Sequence, residues 1–446
     1  MTFESLWREL EPIGRSATSG GYFRQPWASA ELELRAWFRE QAAGRGLEVE
    51  EDPFGNLVAW WRPAVAGGGL ETVAAQPPRP TGATAGPAAG RGGRPEPTAG
   101  RGGRSEPSAG RGGRPGDRLE TEAADAVLTG SHLDSVLDGG AYDGPLGVVS
   151  ALAAIDRMRE RGVQPRRALG VGVFVEEEGS RFGRACLGSR LATGLASWED
   201  AQGLTDRDGV RLGDVVAGGA PTPWLQQVGR FVELHVEQGR GLVDQDAPVG
   251  VASGIWPHGR WRYDVAGRAD HAGTTQMEDR ADPMLTYAMT ALAANKQARL
   301  AGQRATFGRI EAHPNGTNAV PSRVTAWLDA RADSDAALAD LVASIEKQAT
   351  ERAARDGTLL AVTAESVSGE VVFDADLAAT IGAGLPVLPT QAGHDAGILQ
   401  AAGIPSAMLF VRNPTGVSHS PDEFAGTADC EAGVEALATA LTGLLG

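Results

Sequence analysis

Two rhythms of apolar and polar residues alternate along this chain. Residues 29–41 carry apolar side chains at helical spacing (Leu32, Leu34, Trp37, Phe38), and 48–61 reads as two short strands around Pro53-Phe54-Gly55-Asn56. A β-rich run at 126–128 leads into a loop, and Leu146, Val149, Leu152 and Ile155 then predict an amphipathic helix. Residues 167–175 form a buried-strand pattern, and 231–239 a third apolar run. From 248 the order changes: strand 260–266, helix 283–300, strands 306–312 and 323–331, helix 335–355, strand 359–365. That succession, β-α-β-β-α-β, is the ferredoxin-like split unit. Strand 406–411 and a closing helix at 427–444 restore the first pattern. The expected architecture is one α/β domain interrupted by a small α+β domain.

One stretch obeys neither rhythm. Residues 63–125 are rich in Gly, Pro, Ala and Arg, with almost no large apolar side chains. A near-perfect decapeptide repeat starts at Arg91 and again at Arg101, with a truncated copy from Arg111. Arg-Gly-Gly repeats can bind RNA, but these lack interleaved aromatics. The segment cannot bury enough apolar surface to offset its ordering entropy, so it reads as an expanded, disordered loop.

Composition narrows the class. The 446 residues allow two or three domains, and no apolar run approaches the roughly 20 residues of a membrane span. A net charge of −16 argues against a general nucleic-acid binder. The first residues lack the basic and apolar regions of a signal peptide. Two cysteines, Cys186 and Cys430, make no disulfide framework, which points to a reducing cytoplasm.

Chemistry gathers where apolar runs end. The 126–128 run opens into Gly130–Gly147, which carries His132, Asp134 and Asp143 among glycines that permit tight turns. Imidazole plus carboxylate at a strand's C-terminal end suits a first-row dication. The 167–175 strand runs into Glu176-Glu177-Glu178, three carboxylates that repel one another unless a positive charge sits there. His235 ends the third run. With seven histidines in all, His271 in Asp-His-Ala-Gly-Thr-Thr, His394 in Ala-Gly-His-Asp-Ala and His419 in Gly-Val-Ser-His-Ser-Pro are each informative. His258 and His313 sit in no motif and read as structural.

These residues resemble the amidohydrolase branch of the dinuclear metallopeptidase-like superfamily, which includes allantoate amidohydrolases, N-carbamoyl-L-amino-acid hydrolases and β-ureidopropionases. The likeness covers nearly everything outside 63–125. Its motifs stand in the family's order: the His132 loop, Glu-Glu-Gly-Ser-Arg-Phe, Glu-Leu-His-Val-Glu-Gln-Gly, His-Ala-Gly-Thr-Thr, Ala-Gly-His-Asp-Ala and Phe-Val-Arg-Asn-Pro-Thr-Gly-Val-Ser-His-Ser-Pro. The resemblance implies a metallopeptidase-like α/β catalytic domain with a central mixed sheet (1–62, 126–247 and 369–446). It also implies a ferredoxin-like α+β lid and dimerisation domain at 248–368.

By the same resemblance, His132 and His235 would hold one metal, Glu178 and His419 the other, and Asp143 would bridge both. Zinc is the first expectation, and manganese, cobalt or nickel also fit such donors. Glu177 would be the general base and Asp134 would orient the His132 imidazole. Gln238, Asn318 and Arg331 would bind a substrate carboxylate, His394 would border the substrate, and His271 would reach the partner's site in a homodimer. Gln276, Ser322 and Thr390-Gln391 depart from the family pattern near the substrate segments. The expected activity is hydrolysis of a linear ureido-type amide: allantoate to ureidoglycine, ammonia and carbon dioxide. N-carbamoyl-L-amino acids, then N-formyl or N-acyl amino acids, are the alternatives. A metal-binding scaffold without catalysis is the contrasting class, and the intact Glu177 argues against it.

Overall fold

The computed structural model describes residues 1–63 and 125–446. The insertion expected to be disordered, 63–125, therefore lies outside the described residues except for its two end residues. In chain order the first strands are β1 (Glu48–Glu51), β2 (Leu57–Trp61), β3 (Ala126–His132), β4 (Leu169–Phe174), β5 (Val228–Val236) and β6 (Val249–Ile255). After them come β7 (His258–Ala266), β8 (Asp270–His271), β9 (Arg304–His313), β10 (Ala319–Val320) and β11 (Arg323–Arg331). The last are β12 (Leu359–Ser368), β13 (Val371–Val372), β14 (Val387–Thr390) and β15 (Ser406–Val411).

The larger sheet is mixed, in the order β1-β2-β4-β3-β5-β15-β6-β13, with β14 also on β6. Its centre, β4-β3-β5-β15, is parallel throughout. Buried on both faces, β3 and β4 show near-continuous apolar runs rather than alternation. One face packs against helices Ser29–Gly44, Pro145–Glu160 and Thr427–Leu445 through Leu34, Phe38, Leu152, Ile155, Leu437 and Leu441. Trp60, Phe174, Phe231, Leu399 and Phe410 fill the other. Each such large side chain, fully buried, contributes ~1.5–3 kcal/mol. The expected α/β fold with a mixed central sheet is what the chain adopts.

A second sheet, β12-β7-β11-β9, is antiparallel. Helices Pro283–Ala301 and Asp335–Asp356 are capped by Asp282 and Ser334 and end on Gly302 and Gly357. They share a core with Trp261, Tyr263 and Leu328 of this sheet. The strand and helix order within it is the β-α-β-β-α-β read from the sequence. One boundary differs. Grouped with the inserted unit by the sequence reading, β6 pairs antiparallel with β15 in the larger sheet. Its buried valines suit either sheet, and only a partner more than 150 residues away decides between them.

Candidate metal centre

The parallel strands end at one edge of the larger sheet, and each end delivers chemistry to the same place. His132 is the last residue of β3, β4 runs into Glu176-Glu177-Glu178, β5 carries His235, and β15 leads to the loop of His419. Asp143 comes from the loop after β3. Its neighbour Gly144 has φ +86°, and a Cβ there would collide with the His132 ring, so only glycine lets the loop fold back over the imidazole.

Asp143 stands between two groups of donors. Its Oδ1 lies 3.5 Å from His132 Nε2 and 3.2 Å from His235 Nε2, and its Oδ2 lies 3.5 Å from His419 Nε2. His419 Nε2 is also 3.2 Å from Glu178 Oε2. Two donor sets able to hold a metal ion result, His132–Asp143–His235 and Asp143–Glu178–His419, with Asp143 in both. The Nδ1 atoms of His132 and His235 meet the main-chain carbonyls of Asp134 (3.1 Å) and Val236 (2.9 Å). A carbonyl only accepts, so each Nδ1 carries a proton, and each Nε2 is the ring nitrogen that faces the centre. Both Nε2 atoms and Glu178 Oε1 are buried and have no hydrogen-bond partner among the described residues. Orphaned atoms of this kind are rare, and divalent cations would satisfy all three.

The electrostatics agree. Burial by itself would raise the Asp143 carboxyl, but the imidazoles of His132, His235 and His419 hold it well below the ordinary range. Burial would likewise depress His132, and Glu177, then Asp143, outweigh it and raise the ring. Burial dominates at Glu177 and lifts its carboxyl well above the usual value, with His132 opposing. A buried carboxyl inclined to hold a proton is suited to exchanging one with a reacting group.

Asp134, expected to orient the His132 imidazole, lies against that ring, with a carboxylate oxygen 3.7 Å from Nδ1. Its main-chain carbonyl holds His132, whereas its carboxylate accepts the backbone N–H groups of Glu177 (3.3 Å) and Glu178 (3.2 Å). The side chain fixes the turn that presents those two residues. Burial lifts this carboxyl to about 7.

A cavity of about 590 Å³ opens from the centre, with Asp143, Glu177, Glu178 and His419 in its wall. Of the residues expected to meet substrate, Gln238, Arg331 and His394 line it. Gln238 Nε2 donates to Asp143 Oδ2 (2.8 Å) and Ser418 Oγ (3.0 Å). Arg331 is held by Asp329 (2.8 and 3.2 Å) and by the main-chain carbonyl of Gln391 (2.6 Å), one of the departing residues. His394 is buried against His235, their ring centroids 4.5 Å apart, and burial depresses it strongly. His258, set aside as structural, also lines the cavity.

His271 and Asn318 are not brought to this cavity. Both are exposed on the β8–β10 ladder, where Ala272 N–H donates to the Asn318 carbonyl (3.0 Å). His271 Nδ1 accepts from the backbone N–H groups of Gly273 (3.0 Å) and Thr274 (3.1 Å), which leaves the proton on Nε2 facing outward.

The sequence reading missed several contributors. Cys186 donates its S–H to Glu177 Oε1 (3.1 Å). Glu423 accepts the N–H groups of Tyr142 (2.8 Å) and Asp143 (3.0 Å), which fixes the bridging loop. Glu233 lies beside His235 and His394, but Ser131 Oγ (2.8 Å) and Ala396 N–H (2.9 Å) occupy its oxygens. Asp395 accepts from Ser189 Oγ (2.6 Å), and burial lifts it to about 8. Glu233 and Asp395 stood in quoted motifs; Cys186 and Glu423 did not.

Comparison with known proteins follows the same residues. The model of peptidase family M20/M25/M40 matches residues 128–443. An N-carbamoyl-L-amino acid amidohydrolase of Geobacillus stearothermophilus is 37% identical over 70% of this chain and 80% of its own length. The allantoate amidohydrolase of Escherichia coli K12 is 32% identical over 71% of this chain and 80% of its own. The crystal structure of an amidase of the hydantoinase/carbamoylase family from Burkholderia vietnamiensis superposes with a TM-score of 0.81 at 26% identity, covering 99% of this chain and 96% of that one.

Proposed function

The chain belongs to peptidase family M20/M25/M40, and on that premise we propose that it is a metal-dependent amidohydrolase of linear ureido compounds bearing a carboxylate. The observation that carries this reading is Asp143, one oxygen toward His132 and His235 and the other toward His419, with Glu177 beside His132. His132 and His235 would hold one cation, Glu178 and His419 the other, with zinc first and manganese, cobalt or nickel also matching the donors. Two dications held there would supply polarisation of the scissile carbonyl and a more acidic attacking water. Glu177 Oε2 takes the proton from that water and returns it to the leaving nitrogen. The planar fork of Arg331 receives the substrate carboxylate after exchanging partners with Asp329.

Allantoate is the first substrate of this reading, because Gln238, Thr390, Gln391 and Ser418 give the space beside His419 a polar wall. The Geobacillus relative favours a second, an N-carbamoyl-L-amino acid. A homodimer completes the reading. Helix Pro283–Ala301 exposes Leu285, Met289, Leu292 and Leu300, an apolar stripe suited to a second copy, and the outward Nε2–H of His271 would serve that copy's site.

The test is a panel of allantoate, N-carbamoyl and N-formyl amino acids on metal-loaded protein, read as released ammonia or free amine. Allantoate is expected to exceed N-carbamoyl-leucine by about tenfold in kcat/KM, ~1.4 kcal/mol of transition-state binding. The reverse preference overturns allantoate alone. No turnover of any member overturns the amidohydrolase.

A further inference from the structure

Charges on the cavity wall do not balance locally. Asp329 is engaged by Arg331 and faces Arg260 at 3.8 Å, and Glu365 faces Arg262 at 3.3 Å. That leaves Arg184 and Arg190, both in the wall and both partly buried. Neither has a carboxylate within 4.0 Å among the described residues. Arg190 donates instead to the carbonyl of Ala185 (3.2 Å) and to Ser368 Oγ (3.3 Å), which fixes its plane but pairs its charge with no described carboxylate. Arg184 makes no side-chain hydrogen bond to a described residue. Burial, then the charge of Arg190, push its guanidinium down, with the charge of Asp200 opposing. Two partly desolvated, mutually repelling guanidinium groups are stable together when an anion joins them.

We infer that Arg184 and Arg190 form a second anion subsite, so that among N-carbamoyl amino acids those with a second acidic group are preferred. The inference rests on the proposed reaction and narrows its substrate class. One carboxylate goes to Arg331, the scissile amide lies over Asp143 and Glu177, and the second carboxylate reaches Arg190 and Arg184 on the same cavity wall. Planar forks bind carboxylates through paired N–H donors, and the partial burial strengthens those bonds.

N-carbamoyl-L-glutamate and N-carbamoyl-L-glutamine share a skeleton and differ in the charge of one end. On metal-loaded enzyme, kcat/KM is expected to favour the glutamate compound by about tenfold or more, chiefly through KM. In Arg184→Glu that ratio falls to about one or below, and in Arg184→Ala and Arg190→Gln it shrinks. A wild-type ratio near one, or a ratio that survives in Arg184→Glu, overturns the subsite. If Arg190→Gln does not fold, the Arg184 variants decide. Equilibrium binding of both compounds to metal-loaded Glu177→Gln separates the two readings. Charge-dependent binding without hydrolysis by the wild type keeps the subsite and rejects the reaction. Hydrolysis without charge preference keeps the reaction and rejects the subsite.

Discussion

The thiol of Cys186 donates to Glu177 Oε1 at 3.1 Å, leaving Oε2 of the same carboxylate 3.6 Å from His132 Nε2. Cys186 adopts φ +53°, a left-handed conformation that a side chain rarely takes and that aims this one inward. The thiol thereby selects which oxygen faces the centre. Cys186→Ala should lower kcat about fivefold, the worth of one ~1 kcal/mol hydrogen bond, with KM unchanged. Cys186→Ser, which keeps a donor, should recover most of the loss. Equal losses in both variants would assign Cys186 to packing.

Glu177 and Glu178 are adjacent in sequence and opposite in expected consequence. Glu177→Gln should cut turnover by ~10²–10⁴ with metal content intact, because the amide keeps the shape and loses the proton acceptor. Glu178→Gln should lower metal occupancy instead. Elemental analysis beside kcat distinguishes them, and the reverse pattern exchanges their roles.

Metal removal should cost stability as well as activity. Without cations, Asp143, Glu177 and Glu178 converge with no fixed positive charge beyond the imidazoles. Chelation should lower the melting temperature. Adding back metal at about 100 times its Kd should restore ~2.7 kcal/mol together with turnover. A melting temperature indifferent to chelator would mean the donors hold no ion.

His271 should act in trans. As an Nε2–H donor to a developing oxyanion it would be worth ~3–4 kcal/mol, so His271→Ala alone should be nearly inactive. Mixing it with inactive Glu177→Gln should restore activity, since each mixed dimer then holds one complete site. No recovery despite proven subunit exchange would remove His271 from the chemistry.

Residues 64–124 should be dispensable. Trp61 and Val127 both stand opposite Leu169, one on each side of β4. Two strand spacings put them only about 10 Å apart, a gap that a short turn can close. Replacing the segment with a Gly/Ser turn should leave melting temperature and kcat/KM nearly unchanged. Loss of either would give the repeats a role.

By itself the sequence determined the mixed α/β class, the β-α-β-β-α-β order of the second sheet and the strand ends that carry His132, Glu178 and His235; their gathering on Asp143 was implied by family resemblance. Hydrophobic period and strand-end chemistry are local: helix 283–300, strand 323–331 and helix 335–355 need only neighbours a few positions away. Only tertiary structure placed β6 beside β15, turned the Asp134 carboxylate toward Glu177 and Glu178, and tied Glu423 to the Asp143 loop. Tertiary structure alone also left Arg184 and Arg190 without a carboxylate partner among the described residues, and kept His271 and Asn318 out of their own chain's cavity. Each of these depends on partners brought together by strand pairing and loop return. No pattern within one segment specifies them, because the free energy that fixes each contact is gained only when both segments are already in place.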